Sequence, residues 1–501
     1  MDSNTSKQTE PLKNERSGRA TYDLAVVGAG VAGLNALNAA TDYLPRGARV
    51  LLVDQKDAAG GMWNTAYDYV RLHQPHPMFT VGDLRWNWRK PRQYLAARDE
   101  VRSHLSSSLG PIADKVSLLT QFGHTVERCA EVETTNGAMA ELVIHPNGNP
   151  NQQRSILAKR AVYATGLNYS LADPLVFSSQ KVLSIVPQDL LQTLKDNPDA
   201  PVFVIGGGKT GMDTILATLA AEAKRSVTLI NGGGTNFLNR TRYLPTGLKR
   251  WISGQLASRV FKELATEFNG ENEDQLIEYI RLNLSTDPDA KSRTFLYGLQ
   301  SQEEHAQVQS GLANTISDYL TDVVDNAGGP ILFTRNGTET PVPTGSIFVN
   351  CTGSFFRSET LSEPREILSE NNKMLSLTSR DSFHFLTSVA GFFTCHLFFR
   401  GQLRGYGFYT MDLEDLFRKN RNAWVGATAA QAYLNQVMAL KILPLTLLNR
   451  CGLDMDRWYP LPRRLAALVS MKRNAECDVA HCRKVLDSIA RRFETHSKQL
   501  T

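Results

Sequence analysis

The chain writes one turn twice. Residues 26–34 read VVGAGVAGL and residues 204–212 read VIGGGKTGM. In each, a short apolar run suited to a buried parallel strand meets a G-x-G-x-x-G turn, and apolar residues at helical spacing follow. Gly28, Gly30 and Gly33 make the first turn; Gly206, Gly208 and Gly211 make the second. The first glycine of each set permits the tight turn, the second lets a ligand approach the backbone, and the third lets helix and strand pack closely. A further strand follows each helix, ARVLLVD at 48–54 and SVTLI at 226–230. Two strand–helix–strand units of this kind predict an α/β fold with two Rossmann-like dinucleotide-binding domains.

The residue that closes each second strand distinguishes the two cradles. Asp54 stands about 20 positions beyond Gly33, where a carboxylate accepts hydrogen bonds from ribose hydroxyls; this points to FAD. The matching place after Gly211 holds Asn231. No carboxylate is there to repel a 2′-phosphate, so NADPH is admitted. Lys209 and Thr210 head the second helix, and Lys209, Arg240 and Arg242 are candidate cations for that phosphate. The arginines read equally well as solvated surface residues. A flavin beside a nicotinamide means hydride transfer between them.

At 501 residues the chain is long for one domain. Residues 1–20 are polar, without the apolar centre of a signal peptide, and are expected to be a disordered lead-in. Residues 21–175 read as the first part of the FAD-binding domain, with short alternating runs that lead to Ala164, Thr165 and Gly166. Residues 176–330 read as the NADPH-binding domain, mostly helical over 245–325. Residues 331–410 read as the second part of the FAD-binding domain, with a strand that ends at Gly353, and 411–501 as a helical C-terminal cap. AGFFTCHLFFRGQLRGYGFY, 390–409, is the best candidate to line a pocket, although most of its aromatics read as core.

Hydrophobic residues make up 42% and charged residues 21%, an ordinary soluble composition, and a net charge of +5 gives no case for a nucleic-acid face. The run VMALKILPLTLL, 437–448, is too short to span a bilayer and carries Lys441 and Pro444. Six scattered cysteines without a CxxC read as free thiols in a reducing compartment, and the default location is cytoplasmic. No metal is called for, and the oligomeric state stays open.

With GGMW at 60–63, YDYVRLHQP at 67–75, ATG at 164–166 and VFVIGGGKTGMD at 202–213, the chain resembles the flavin-containing monooxygenases. Around RLHQP it is similar to the plant auxin-forming flavin monooxygenases. The resemblance runs from 22 to 230, extends to NCTG at 350–353 and fades beyond 410. It implies a class B flavoprotein monooxygenase. NADPH reduces FAD, dioxygen gives a C4a-hydroperoxyflavin, and a small organic substrate is oxygenated by N- or S-oxidation, hydroxylation or a Baeyer–Villiger step. Such chemistry asks for a dry pocket more than for many catalytic side chains.

By that resemblance Gly28, Gly30, Gly33 and Asp54 carry FAD, and Gly61, Met62 and Trp63 run along its pyrophosphate and ring edge. Arg71 to Gln74 approach the flavin, and Thr165, Gly166 and Gly353 join the cofactor-binding set. His73 and Gln74 stand where many members place a Thr-Asn pair, which makes them the catalytic candidates. Read by itself, RLHQPHP is equally a proline-held loop whose polar groups satisfy backbone. The chain departs from the family where F-x-G-x-x-x-H is expected; LVFSSQKVLSIVPQDL stands there, at 175–190. Two other readings stay open: an FAD/NAD(P)H oxidoreductase without oxygen insertion, and a non-catalytic nucleotide-binding scaffold. A thiol–disulfide reductase is disfavoured, because no cysteine pair follows GGMW or the second turn.

Overall fold

The computed structural model describes residues 21–166, 172–353, 356, 366–378, 380, 387–450 and 454–501; the lead-in expected at 1–20 lies outside them. Two five-stranded parallel sheets organise the chain. The first has the order Met374–Ser376, Ala161–Tyr163, Leu24–Val27, Arg49–Val53, Ser117–Gln121. The second has the order Asn314–Ile316, Val227–Ile230, Val202–Ile205, Ile347–Asn350, Leu183–Ile185. In both, the strand that feeds a glycine turn lies at the centre. LAVV at 24–27 and VFVI at 202–205 are buried at every residue, so they read as continuous apolar runs instead of alternating ones.

Each parallel sheet has an antiparallel neighbour. His124–Thr134, Gly137–Pro146 and Arg154–Ala158 form the meander that lies in the chain between Ser117–Gln121 and Ala161–Tyr163. Leu320–Asn326, Gly329–Thr334 and Glu339–Pro341 form the other. A helical layer makes the third body of the fold. Arg421–Ile442 is buried on nearly all sides, which a helix tolerates only inside a core. It packs on Leu461–Arg492, Ala257–Glu267 and Glu273–Leu284, around Trp424, Tyr433 and Phe268. Gly426 makes this approach feasible: a Cβ there would stand 2.2 Å from the Phe268 ring. The α/β class and the helical C-terminal part match the expectation.

Two expectations are corrected. The strand Ile347–Asn350, assigned with 331–410 to the FAD-binding part, pairs with Val202–Ile205 and Leu183–Ile185 in the second sheet. Its four residues are fully buried between sheet neighbours, so it belongs with the second turn. Within 245–325, expected mostly helical, Phe295–Gln300, Asn314–Ile316 and the start of Leu320–Asn326 are strands. Phe295–Gln300 alternates buried and half-buried positions and pairs with Asn236–Asn239, so period two wins over the helical reading. Of the stretch 390–409, the helical part packs as core: Thr387–Phe399 lies against the first glycine helix, with Phe392, Leu397 and Phe398 buried there, in line with the core reading of its aromatics. A Cβ on Gly391 would stand 2.3 Å from the Ala32 carbonyl oxygen, so the two helices cross backbone to backbone there.

Candidate functional site

The two glycine turns fold alike. Gly28 and Gly206 take φ of +102° and +111°, where only glycine is at ease. Gly30 and Gly208 cap the helices Val31–Ala40 and Lys209–Ala221 with φ/ψ of −81°/−177° and −79°/−177°. A Cβ on Gly33 would lie 1.8 Å from the Gly28 oxygen, and one on Gly211 2.0 Å from the Gly206 oxygen. The neighbouring strand closes each turn. A Cβ on Gly28 would meet the Ala164 oxygen at 2.3 Å, and one on Gly206 the Cys351 oxygen at 2.9 Å. ATG at 164–166 and CTG at 351–353 are therefore counterparts. Thr165 and Gly166 sit beside the first turn and Gly353 beside the second.

The middle glycines differ from the others. A Cβ on Gly30 would meet only the Gly61 Cα, at 3.5 Å, and one on Gly208 would meet nothing within 4 Å. Neither helix has a side-chain cap. Each turn thus offers unclaimed N–H groups, the positive end of a helix dipole and an open approach. The residues present fit the pyrophosphate of a dinucleotide at both turns.

The groups around the first turn follow from its geometry. Asp54 is 8% exposed, and its carboxylate oxygens accept from the Ala29 N–H at 2.6 Å and the Lys56 N–H at 2.7 Å. Burial pushes its carboxyl up and these two N–H groups oppose that shift. Each oxygen keeps a lone pair for a ribose hydroxyl. Gly61 sets its backbone against Gly30, Met62 is half exposed, and Trp63 is buried edge-on to Phe79 at 5.6 Å.

From there the chain crosses to the second turn. The Tyr67 hydroxyl donates to Asp213 at 2.9 Å and hydrogen-bonds Thr210. The Tyr69 hydroxyl pairs with Thr214 at 2.8 Å. Arg71 stays outside and donates to the Leu95 carbonyl at 3.1 Å. His73 Nδ1 accepts from the Leu299 N–H at 3.4 Å, and Arg240 donates to the His73 carbonyl at 3.3 Å. Burial first, then Lys209 and Arg240, push the His73 imidazole down to about 4. A neutral ring with an accepting Nδ1 carries its proton on Nε2; at neutral pH it donates a hydrogen bond and has no second proton to give. Among the described residues the buried Gln74 amide oxygen finds no partner, nor does that of Asn231, which follows Val227–Ile230.

The three candidate cations are all engaged. Lys209 pairs with Asp213, Arg240 pairs with Glu304 at 2.6 Å, and Arg242 donates to the Asn283 carbonyl. The second cradle therefore meets a phosphate mainly with helix N–H groups, because two of its nearby cations are already neutralised. Tyr67, Tyr69, Glu304 and Leu299 escape sequence reasoning. Their partners lie far along the chain, and no local spacing signals such contacts. An apolar cavity of about 50 Å³ borders Leu299, Tyr243 and Tyr459, and the Tyr243 hydroxyl is buried there without a partner.

A family profile described as pyridine nucleotide-disulphide oxidoreductase matches residues 22–313, more than half of the chain. The chain belongs to the pyridine nucleotide-disulphide oxidoreductase family. Over 62 residues it is 46% identical to uncharacterized proteins of Mycobacterium bovis and Mycobacterium tuberculosis. That match spans 12% of this chain and only 11% of theirs. Among solved structures, it is similar to a mutant of a flavin monooxygenase from Stenotrophomonas maltophilia, at 16% identity and TM-score 0.48, over 76% of this chain and 98% of that one. It is also similar to the FAD-bound cadaverine monooxygenase DfoA of Erwinia amylovora, at 13% identity and TM-score 0.49, over 76% and 94%. A cyclohexanone monooxygenase is similar at 13% identity and TM-score 0.47, over 76% and 87%.

The family name directs attention to sulfur. Among the described residues none of Cys129, Cys351, Cys395, Cys477 and Cys482 forms a disulfide, and Cys451 lies outside them. Cys351 sits against the second turn, where burial pushes its thiol up to about 12 and Thr214 lies 3.4 Å from its sulfur. Such a thiol stays protonated and is a poor nucleophile. Among the described residues no helix is long and apolar enough to cross a membrane.

Proposed function

We propose that this oxidoreductase is an FAD-dependent monooxygenase that draws electrons from NADPH and oxygenates a small organic molecule. The observation that carries the reading is the segment 61–76. It starts against the first turn through Gly61 and fastens to the second helix through Tyr67 and Tyr69, so one loop spans both cradles. In this reading Gly28, Gly30, Gly33 and Asp54 hold FAD together with Gly61–Trp63, Arg71, Thr165 and Gly166. Gly206, Gly208, Lys209, Thr210 and Gly211 hold NADPH with Arg240, Arg242 and Gly353. When bound, FAD supplies a two-electron carrier that takes hydride from a nicotinamide and passes electrons to dioxygen.

The side chains of this protein bind, orient and keep water out. Lys209 and Asp213 neutralise each other beside the second cradle, which leaves its charge to the helix terminus. His73, neutral, offers an Nε2–H. Gln74, whose amide oxygen has no partner among the described residues, brings both a donor and an acceptor to the same loop. These two are the residues we assign to the reacting side of the site. Trp63 and Phe79 wall the loop with apolar surface.

The test uses purified protein loaded with FAD, NADPH and ¹⁸O₂, and a panel of amines, sulfides and ketones. The expected outcome is oxygen-dependent NADPH oxidation that forms hydrogen peroxide alone, and one ¹⁸O atom in product once a substrate is added. Bound FAD and brisk NADPH oxidation with a quinone acceptor, but no label in any product, would turn the assignment to a reductase.

A further inference from the structure

A folded chain normally scatters the apolar residues it leaves outside. Here they gather. Leu248, Trp251 and Ile252 are 83%, 57% and 86% exposed on the turn that ends at Ser253. Next to it the helix Leu461–Arg492 begins, and Leu461, Leu465 and Val469, all about half exposed, share one face at spacing i, i+4, i+8. The two elements are tied together. Arg463 donates to the carbonyls of Arg250 at 3.0 Å and Gly254 at 2.8 Å. Arg250 donates to the Trp458 carbonyl at 2.7 Å, and the Trp458 indole to the Pro245 carbonyl at 2.7 Å.

The same place collects positive charge. Arg92 and Arg250 stand 5.3 and 5.5 Å from the Trp458 ring. Arg92 feels both Arg250 and Arg457 as like charges. Residues 84–98, 243–262 and 457–475 contain no Asp or Glu and meet at Trp458; the acids beside them, Asp454 and Asp456, turn to Arg464 and Ser258. Arg250 and Arg463 are held by carbonyl oxygens, which leave the charge in place. The small net charge of the chain, +5, hides this local concentration.

We propose that this face binds the surface of an anionic phospholipid bilayer, with Leu248, Trp251 and Ile252 entering the headgroup boundary and the surrounding cations facing lipid phosphates. A protruding Trp flanked by Lys249 and Arg250 has the apolar body and charged rim that such a boundary selects. A second copy of the chain would set cations against cations. A nucleic acid would meet the charge but leave Leu248, Trp251 and Ile252 in water. The face is separate from the glycine turns, so this inference stands whether or not the oxygenase reading does.

Flotation of the full-length protein with vesicles of phosphatidylcholine, alone or mixed with phosphatidylglycerol, tests it. The protein is expected to float with the mixed vesicles, hardly with the neutral ones, and less as salt is added. The double variant Leu248→Ser/Ile252→Ser should weaken that binding by about tenfold or more, because two apolar side chains no longer leave water. Lys249→Glu should weaken it too and flatten its salt dependence. Val176→Ser, at another highly exposed apolar residue, should change nothing. Three results overturn the proposal: no flotation with anionic vesicles at low salt, full binding by the double variant, or a dimer in free solution that the double variant dissociates.

Discussion

Glycines that look equivalent in the motif do different work, and this separates binding from folding. A methyl at position 33 or 211 would press into a carbonyl oxygen of its own turn, at 1.8 and 2.0 Å. Gly33→Ala and Gly211→Ala should therefore lower stability by about 1–3 kcal/mol through overpacking, read from urea midpoints. Gly30→Ala and Gly208→Ala meet no such atom, so both, stripped of cofactors, should melt like the parent protein stripped in the same way. Yet Gly30→Ala should lose most of its flavin, and Gly208→Ala should keep flavin but bind NADPH weakly. A Gly30→Ala protein as yellow as the parent would remove the first cradle from the account. At this scale the sequence was informative about the turns, since their spacing follows from backbone geometry alone. It marked Asp54 but was silent on the Ala29 and Lys56 N–H groups that its two oxygens accept from, because those contacts follow from the folded turn. It also could not settle whether Arg240 was a surface residue, because its partner Glu304 lies in another helix.

Among elements, the decisive connection is the one between the loop 61–76 and the second glycine helix. Tyr67 and Tyr69 both bond that helix, but their partners differ in kind. Tyr67 serves a carboxylate, Asp213, already paired with Lys209; Tyr69 meets a neutral hydroxyl, Thr214. Removing a hydrogen bond to a charged group costs about 1.5–3 kcal/mol, and a neutral one about 0.5–1.5 kcal/mol. Tyr67→Phe is therefore expected to destabilise more than Tyr69→Phe in urea titrations. It should also slow flavin reduction by NADPH while flavin content holds, because only the registration of loop and helix has changed. Equal reduction rates in both variants and the parent would mean that the contact is merely structural. The two central strands and the helices after them were legible because burial on both faces writes a continuous apolar run. The strand Phe295–Gln300 was missed because its partner, Asn236–Asn239, sits far along the chain and its neighbours are helices. The place of Ile347–Asn350 was missed for a related reason. Parallel strands that pair across long separations leave no turn in the sequence to mark them.

Across the whole molecule, three histidines far apart share one condition. His73 lies on the loop, His104 stacks on Trp86 with centroids 4.1 Å apart, and His396 meets the Tyr43 hydroxyl at 2.8 Å. Burial pushes each from an ordinary value of 6.5 down to about 4. The sign follows from proton binding. Between 6.5 and 4 the unfolded chain takes up protons that the folded chain refuses, so acid favours unfolding. Stability from this source is whole above pH 6.5, falls as the pH drops and levels off below 4. Three refused protons correspond to about 4 kcal/mol lost per pH unit in the middle of that window, an upper figure, since the three do not titrate at one point. Such a loss is large against the total stability of an ordinary domain. Urea midpoints should therefore fall steeply between pH 6.5 and 4 and hardly change between 7 and 8. Replacing one member at a time apportions the effect. His104→Gln is expected to flatten the profile by about a third, since it takes away one of three comparable protons. It should leave the flavin spectrum unchanged, because His104 bonds Thr80 at 3.2 Å and touches neither turn. A pH profile as steep in all three single variants as in the parent would place the acid sensitivity in the carboxylates instead.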